Sequence, residues 1–183
     1  GGKFADKGDW RRNNINKLVE KLHREIKKQN SDIAFGISPF GVWRNASTDP
    51  GRGSETQAGV QNYDDLYADV LLWVNNGWID YCVPQLYWEI GNKAADYETL
   101  FKWWDKFASN RPLFIGESVD RTVKFTDVNN ASINQMPAKY QMHQNAKHTN
   151  GIVLWYSKAV VDNMGNYGDM LRNTYWRYPA LQP

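Results

Sequence analysis

The sequence predicts an α/β fold with parallel strands, and three observations lead to this class. Short apolar runs alternate with stretches in which apolar residues recur at helical spacing, in the order α-β-α-β-α-β-α-β-α. No glycine-rich phosphate-binding motif follows any strand, which weighs against an open nucleotide-binding sheet. Each strand instead ends in aromatic and polar side chains, and in a (β/α)₈ barrel such ends converge on one face. We therefore favour part of a TIM-type (β/α)₈ barrel over an open doubly wound sheet.

The first helix is predicted over residues 10–29, where Asp9 is a candidate N-cap and apolar residues recur every three or four positions. An apolar run over residues 33–38 predicts the first strand. Pro39 ends this strand because proline cannot donate to a strand ladder. Residues 46–62 are rich in Gly, Ser and Thr without periodicity, which predicts a long loop.

Periodicity and turn residues predict the remaining elements in the same way. Three further strands are expected where apolar runs lie between turn residues, over residues 79–87, 112–117 and 152–156. Four further helices are expected where apolar residues follow a helical period, over residues 63–76, 95–108, 134–147 and 166–176. Gly77 is expected to end the first of these in a left-handed cap.

Size and composition indicate an ordered domain without a nucleic-acid site. The 183 residues match one domain with a sizeable core, and nine Trp, ten Tyr and seven Phe weigh against disorder. The net charge is only +2. The basic pairs Arg11-Arg12 and Lys27-Lys28 lie on the first predicted helix, which is typical of a solvated helix face rather than a nucleic-acid patch.

Cysteine, histidine and hydropathy patterns predict no disulfide, metal site, cofactor or membrane span within the chain. Cys82 is the single cysteine, and its apolar neighbours indicate a buried structural thiol. The histidines His23, His143 and His148 lack metal-ligand spacing. No stretch reaches the roughly 18 apolar residues of a membrane-spanning helix.

The segment after the first strand carries candidate ligand-binding residues. Trp43, Arg44 and Asn45 follow Gly41 at the expected mouth of the strand. An indole beside a guanidinium and an amide suits a polyhydroxylated ligand, because the ring stacks while the polar pair donates hydrogen bonds. The alternative is that Trp43 caps the core.

Other candidate substrate-binding residues lie at the ends of the later strands. Gln85 and Tyr87 are two residues apart and therefore point to the same face of their strand. A polar Gln in an apolar strand must find hydrogen bonds, either with substrate hydroxyls or within a core network. Aromatic residues complete the set at Trp88, Trp155 and Tyr156.

The number of strands is too small for a whole barrel. Eight units need about 250 residues, and four parallel strands leave two open edges, which natural sheets avoid. We therefore expect residues 1–183 to form a single domain or half-domain that is truncated at its N-terminus. A homodimer through the open strand edges is an alternative that would restore eight strands.

Several long motifs resemble those of a known bacterial family, the glycosyl-hydrolase-10-like family. The resemblance is strong over about residues 4–117, and its motifs occur in the family's order. They are D-W-R-R-N-N (9–14), F-G-I-S-P-F-G-V-W-R-N (35–45), Y-D-D-L-Y-A-D (63–69), G-W-I-D-Y-C-V-P-Q-L-Y-W (77–88) and D-Y-x-x-L-F-K-W-W (96–104).

The resemblance implies a (β/α)₈ glycosidase of which this chain is the C-terminal half, about strands five to eight. It also implies an extracytoplasmic location, in the periplasm or as a cell-surface lipoprotein. The expected partner is a bacterial or dietary glycan, with peptidoglycan glycan strands as a suspected substrate. The likeliest catalytic aspartates of the family would lie upstream of this chain.

Glycoside hydrolysis usually requires two carboxyl groups, one of which protonates the leaving oxygen. Glu89 and Glu117 are the carboxylates placed at or just past predicted strand ends, and they are the candidate catalytic residues. Glu89 follows Tyr87 and Trp88, and such an aromatic setting could raise its pKa. The alternatives are that both glutamates are non-catalytic and that the protein is a carbohydrate-binding module.

Overall fold

Four parallel strands form one sheet in the computed structural model, which describes residues 4, 6–125 and 135–178. The strands are Gly36–Ile37 (β1), Tyr81–Cys82 (β2), Leu113–Ser118 (β3) and Thr149–Trp155 (β4). Their order in the sheet is the order in the chain, so no strand order reversal occurs. A doubly wound sheet requires such a reversal. The predicted parallel α/β class is therefore confirmed, and the arrangement is consistent with part of a TIM-type barrel.

The strands are held in register by parallel ladders of different length. β1 and β2 pair over only two residues each, and an isolated bridge between Phe40 and Gln85 continues the pairing. β3 and β4 pair up to Ser118 and Trp155, the last residues of both strands. β2 is shorter than predicted because Pro84 interrupts the ladder, and Pro39 ends β1 in the same way, since neither proline has an N–H to donate.

Helices lie before the first strand, between the strands and after the last one. They are Lys7–Gln29 (α1), Val70–Asn76 (α2), Tyr97–Phe107 (α3), Val119–Phe125 (α4), Met136–Asn145 (α5), Ser157–Val161 (α6) and Tyr167–Met170 (α7), with a 3₁₀ turn at Met164–Asn166 and a π turn at Leu171–Tyr175. The helical segment predicted over residues 134–147 corresponds to α5. Its predicted first residue, at position 134, lies outside the described residues.

One helix is shorter than the periodicity predicts. α2 begins at Val70, with the Asp69 carboxylate accepting from the Leu72 N–H at 3.2 Å as its N-cap. The preceding residues are not helical because Tyr67 has a left-handed φ of 54° and the Tyr63 N–H donates to a carbonyl of the loop after β1. The predicted cap at Gly77 is confirmed, with φ of 69°.

Two further differences concern the second half of the chain. Val119–Phe125 forms α4 in a stretch where the sequence predicts no helix. The helix predicted over residues 166–176 forms as α7 followed directly by the π turn, and the left-handed conformations of Gly165 and Asn166 set its start.

Two hydrophobic clusters form the core. The larger one joins β1, β2 and β3 to α1, α2 and α3, and it contains Trp43, Trp73, Leu100 and Trp104. The smaller one packs Val119 and its neighbours against α5, α6 and α7. Cys82 lies inside the larger cluster, and burial raises the pKa of its thiol to about 12, so the predicted buried thiol is confirmed.

The two faces of the sheet differ in how far they are buried. Along β3, Leu113, Ile115 and Glu117 are buried against the helices, while Phe114 contacts the Tyr81 ring on the other face. That other face is open: the Trp155 side chain is 60% exposed at the end of β4. Within the described residues, no helix is both long and apolar enough to cross a membrane.

Candidate functional site

A cavity of about 420 Å³ occupies the open face of the sheet. Because successive side chains of a strand alternate between faces, the odd-numbered positions from residue 81 to residue 87 all reach it. All four strands or their extensions contribute to its lining, which consists of Gly36, Ile37, Ser38, Tyr81, Val83, Gln85, Tyr87, Gly116, Val153, Leu154 and Trp155. The structure thus brings together three of the residues predicted to bind substrate, Gln85, Tyr87 and Trp155.

Polar groups at the centre of this cavity tie β1 to β2. The Gln85 side-chain amide donates to the Ser38 carbonyl at 3.1 Å and to the Ser38 hydroxyl at 3.2 Å. The hydroxyl in turn donates to the Val83 carbonyl at 2.8 Å. Gln85 therefore belongs to a hydrogen-bonded network within the protein and also lines the cavity.

Aromatic rings surround these polar groups. Tyr81 lies against Gly36, where a Cβ atom would come within 2.2 Å of the ring, so only glycine leaves room for this tyrosine. The Tyr87 phenol is half-buried, and desolvation raises its pKa. The exposed Trp155 indole stands on the opposite side. Rings around a polar centre are typical of pockets that bind sugars or other flat polar ligands.

Glu117 does not line the cavity. Its side chain points to the helix face of the sheet and is buried, with a residue exposure of 2%. One carboxylate oxygen accepts from the Tyr97 hydroxyl, and the other pairs with the Lys139 ammonium at 3.0 Å. Its burial and its partners fit a structural ion pair between β3, α3 and α5.

The groups around Glu117 are neutral apart from Lys139. Burial, followed by the charge of Glu117, raises the pKa of the Tyr97 phenol well above its usual value. Burial, followed by the charge of Lys139, lowers the pKa of His143 to about 4. His143 is therefore uncharged at neutral pH and lies 3.3 Å from the Tyr97 hydroxyl.

Glu89 lies beyond the carboxyl end of β2, outside the sheet. Its side chain is partly exposed and accepts from the Asn92 amide at 2.8 Å. The crevice beside it, which Trp88 and Lys139 also line, has a volume of about 10 Å³ and is too small for more than one water molecule. Glu89 is therefore a partly exposed carboxylate that is held by Asn92 and does not line the cavity.

The three predicted residues after β1 lie away from the cavity. Trp43 is buried in the core, where its ring stacks on the Trp103 ring at 5.8 Å. Arg44 forms a two-pronged ion pair with Asp64 at 2.8 and 2.9 Å and a further ion pair with Asp49 at 2.9 Å. In the apo arrangement its guanidinium is therefore engaged in holding the long loop.

Asn45 is buried and its side chain organises the same loop. Its amide donates to the Ala58 carbonyl at 2.9 Å, and its side-chain oxygen accepts from the Thr56 hydroxyl at 2.8 Å and from the Ala58 N–H at 3.0 Å. The predicted long loop is thus folded around Asn45 and Arg44. These contacts within the protein are sufficient to account for Arg44 and Asn45 at these two positions.

The last two predicted aromatic residues also lie outside the cavity. The Trp88 ring packs edge-on against Phe40 at 5.3 Å and touches Gly41, where a Cβ atom would meet it at 2.5 Å. Tyr156 packs against the smaller hydrophobic cluster, although it follows Trp155 directly. Adjacent residues at a strand end face opposite sides, which separates the two rings.

Sequence reasoning missed several residues of the site. Tyr81 is part of the same two-residue period as Gln85 and Tyr87, and extending that period would have found it. Ser38 was noted only as the end of a strand. Lys139 gives no sequence signal, because it lies in a short helix far along the chain from Glu117. Neither a carboxylate lining the cavity nor a metal-binding group of His, Cys, Asp and Glu occurs among the described residues.

Comparison with known proteins places the chain among hydrolase-like proteins. A family model described as glycosyl hydrolase-like 10 matches residues 2–142. The chain is 40% identical to glycosyl hydrolase YngK of Bacillus subtilis (strain 168) over 182 residues, which are 98% of this chain and 36% of that protein. It is 50% identical to glycosyl hydrolase DigH of Escherichia coli (strain K12) over 104 residues, which are 57% of this chain and 23% of that protein. The matches thus cover little more than a third of the length of YngK and less than a quarter of the length of DigH.

Proposed function

Because the chain belongs to the glycosyl hydrolase-like 10 family, we propose that it forms the glycan-binding wall of a glycoside hydrolase. The cavity on the open face of the sheet carries this proposal. It combines exposed and half-buried rings with a polar centre, and it extends along the face of the sheet to Tyr87 and Trp155, near the carboxyl ends of the strands, where barrel enzymes bind their substrates.

The lining residues have distinct roles in this proposal. Trp155 and Tyr87 present ring faces to the apolar faces of a pyranose, while Gln85 and Ser38 supply hydrogen bonds to its hydroxyls. A stacked ring gains both buried apolar area and favourable contact with C–H groups. A cavity of about 420 Å³ accommodates one or two sugar rings.

The catalytic carboxyl groups are the least complete part of the site. Glu89 is the candidate within this chain, because it is partly exposed and follows Tyr87 at the cavity edge. Glu117 is committed to Lys139 inside the protein. Hydrolysis requires two carboxyls. We propose that at least one of them comes from a region outside this chain, equivalent to the part of the relatives that lies beyond the match. We also propose that the enzyme is extracytoplasmic.

Glycan binding and hydrolysis by the full-length protein test this function. Peptidoglycan glycan strands are the first polymer to assay, because the resemblance points to them, and chitohexaose is a soluble probe for calorimetry. We expect binding of the probe and release of reducing ends from the polymer. We also expect Trp155→Ala to weaken binding by about tenfold, which corresponds to the loss of one stacked ring.

Trp10→Ala is the matched control, because Trp10 is similarly exposed but lies on α1, away from the cavity. This variant should bind as the wild type does. Equal affinity of the wild type and Trp155→Ala would contradict the assignment of the cavity as the sugar site.

A non-catalytic carbohydrate-binding module is the second candidate. One observation favours it, namely that no carboxylate among the described residues lines the cavity. It predicts binding of the glycan by the full-length protein with no release of reducing ends. Hydrolysis that is lost in Glu89→Gln would exclude it and place one catalytic group in this chain.

A further inference from the structure

We propose that Lys139, held in place by Glu117, is a positioning residue that fixes residues 87–90, the rim segment, which follows β2 at the edge of the cavity. This segment carries Tyr87, which lines the cavity, and Glu89, the candidate carboxylate. The effect of Lys139 on sugar binding rests on the proposed function, whereas its effect on the order of the rim segment does not.

The Lys139 ammonium joins two parts of the protein that are distant in sequence. It donates to the Trp88 carbonyl at 3.0 Å and to the Glu117 carboxylate at 3.0 Å. It also lies 4.0 Å from the centre of the Tyr97 ring. The side chains of Lys139 and Glu117 are only 5% and 3% exposed, so water competes little for these bonds. The ammonium can therefore hold the Trp88 carbonyl in one position.

The start of α5 holds the same segment at a second point. The Gln135 side chain accepts from the Ile90 N–H at 2.7 Å and donates to the Ile90 carbonyl at 2.9 Å. Gln135 and Lys139 are four residues apart, so both reach the segment from one side of α5. The Trp88 ring is wedged against Phe40 on the other side. The rim segment is therefore fixed by contacts on both sides.

This arrangement assigns Glu117 a role that differs from the predicted catalytic one. A buried lysine without a counter-charge tends to lose its proton or leave the interior. Glu117 supplies this counter-charge at 3.0 Å from the Lys139 ammonium, and so it acts on the rim segment through Lys139. It has no contact with the cavity, and it is a positioning partner rather than a catalytic residue.

A double substitution separates the effect on the position of the rim segment from the effect on the stability of the whole fold. Removing one charge alone leaves the other buried and unpaired, which disturbs the whole fold, whereas replacing both charges with neutral groups of similar size often leaves stability almost unchanged. The variant Glu117→Gln/Lys139→Met removes the bond to the Trp88 carbonyl and keeps the interior neutral. The matched control is Glu98→Gln/Lys102→Met, which removes an exposed ion pair of α3.

Hydrogen exchange of the full-length protein, followed by mass spectrometry, measures the order of the rim segment without any ligand. We expect roughly tenfold faster exchange at the amides of residues 88–92 in the buried-pair variant, with α1 unchanged. We also expect several-fold weaker binding of chitohexaose. The control variant should match the wild type in both measurements.

The outcomes distinguish the two proposals. Unchanged exchange at residues 88–92 in a folded buried-pair variant would overturn the positioning role. Faster exchange in a protein whose wild type binds no glycan would support positioning and contradict the proposed function. If the buried-pair variant does not fold, Glu117→Gln/Lys139→Leu replaces it, because it removes the same bond to the Trp88 carbonyl and also leaves the interior neutral. The same segment should then exchange faster, and unchanged exchange would again overturn the proposal.

Discussion

Single side chains anchor the backbone of this protein at points where no secondary structure does so. Asp105 on α3 is the clearest example. Its carboxylate accepts from the N–H groups of Lys147, His148 and Thr149 at 3.1, 2.9 and 2.7 Å, at the point where the chain enters β4. Desolvation raises the pKa of Asp105, but the hydrogen bonds from His148, Thr149 and Lys147 outweigh it and lower that pKa below its usual value.

We therefore expect Asp105→Asn to lower the free energy of unfolding by about 1–2 kcal/mol at pH 7, because a neutral amide accepts more weakly than a carboxylate. A carboxyl whose pKa is lower in the folded state contributes stability above its unfolded pKa, near 4. That contribution disappears as the pH falls through the folded pKa. Urea unfolding of both proteins between pH 7 and pH 3 measures the difference.

The expected result is a stability difference that shrinks in acid. Asp32→Asn is the control, since Asp32 is exposed between α1 and β1, and it should change little at any pH. A difference between wild type and Asp105→Asn that stays constant down to pH 3 would show that the carboxylate charge contributes nothing.

At the scale of single elements, caps decide where the helices begin. α3 begins at Tyr97 because the Asp96 carboxylate accepts from the Thr99 N–H at 2.8 Å and from its hydroxyl at 2.7 Å. The same carboxylate accepts from the Gly91 N–H at 2.6 Å and so joins the preceding loop to the helix. Tyr97, the first residue of α3, contacts Glu117, and the cap therefore also positions the buried ion pair.

We expect Asp96→Ala to lower the free energy of unfolding by about 1–2 kcal/mol, as the loss of an N-cap usually does. Asp96→Asn should lose clearly less, because asparagine is as good an N-cap residue as aspartate. Thermal unfolding followed by circular dichroism measures both variants. Equal melting temperatures for the wild type and Asp96→Ala would contradict the capping role.

The sequence predicted the existence of the long elements better than their ends. The helical period of α1 and α3 is plain in the sequence, and both helices occur within a few residues of the prediction. The start of α2 was not predictable from periodicity, because a single left-handed residue, Tyr67, interrupts a helix without changing the apolar pattern. α4 has only seven residues, too few to show a period.

At the scale of the whole molecule, one face of the sheet is covered by helices and the other is open. The open face exposes Val153 and Trp155 of β4, and the outer edges of β1 and β4 pair with no other strand in the described part of the chain. α1 also leaves Leu18 and Leu22 largely exposed, although its period marks them as core residues. Open strand edges and exposed apolar faces favour association with further polypeptide.

We therefore expect the isolated 183-residue chain, of 21.2 kDa, to self-associate. Light scattering should give a mass above that of the monomer, rising with concentration. Trp155→Lys should shift the mass towards the monomer by placing a charge on the open face, whereas Trp10→Lys on α1 is the matched control. A mass of one chain at all concentrations would contradict this expectation and show that the open face is stable in water.

The sequence alone determined the parallel α/β class, the buried cysteine and the left-handed cap at Gly77. These features follow from local periodicity and from the backbone chemistry of Pro and Gly, which act over a few residues. The tertiary structure alone decided which strand-end side chains share a cavity. It sends Gln85, Tyr87 and Trp155 to the open face and Trp43, Arg44 and Asn45 to the core and the long loop.

The surroundings of Glu117 show the physical reason for this division. Its position at a strand end is visible in the sequence, but its ion pair forms with a lysine 22 residues away in another helix. A buried charge is stable only with a partner, and that partner is set by the packing of α5 against the sheet. Local patterns do not encode such packing, so only the tertiary structure shows that this carboxylate is one half of a buried ion pair.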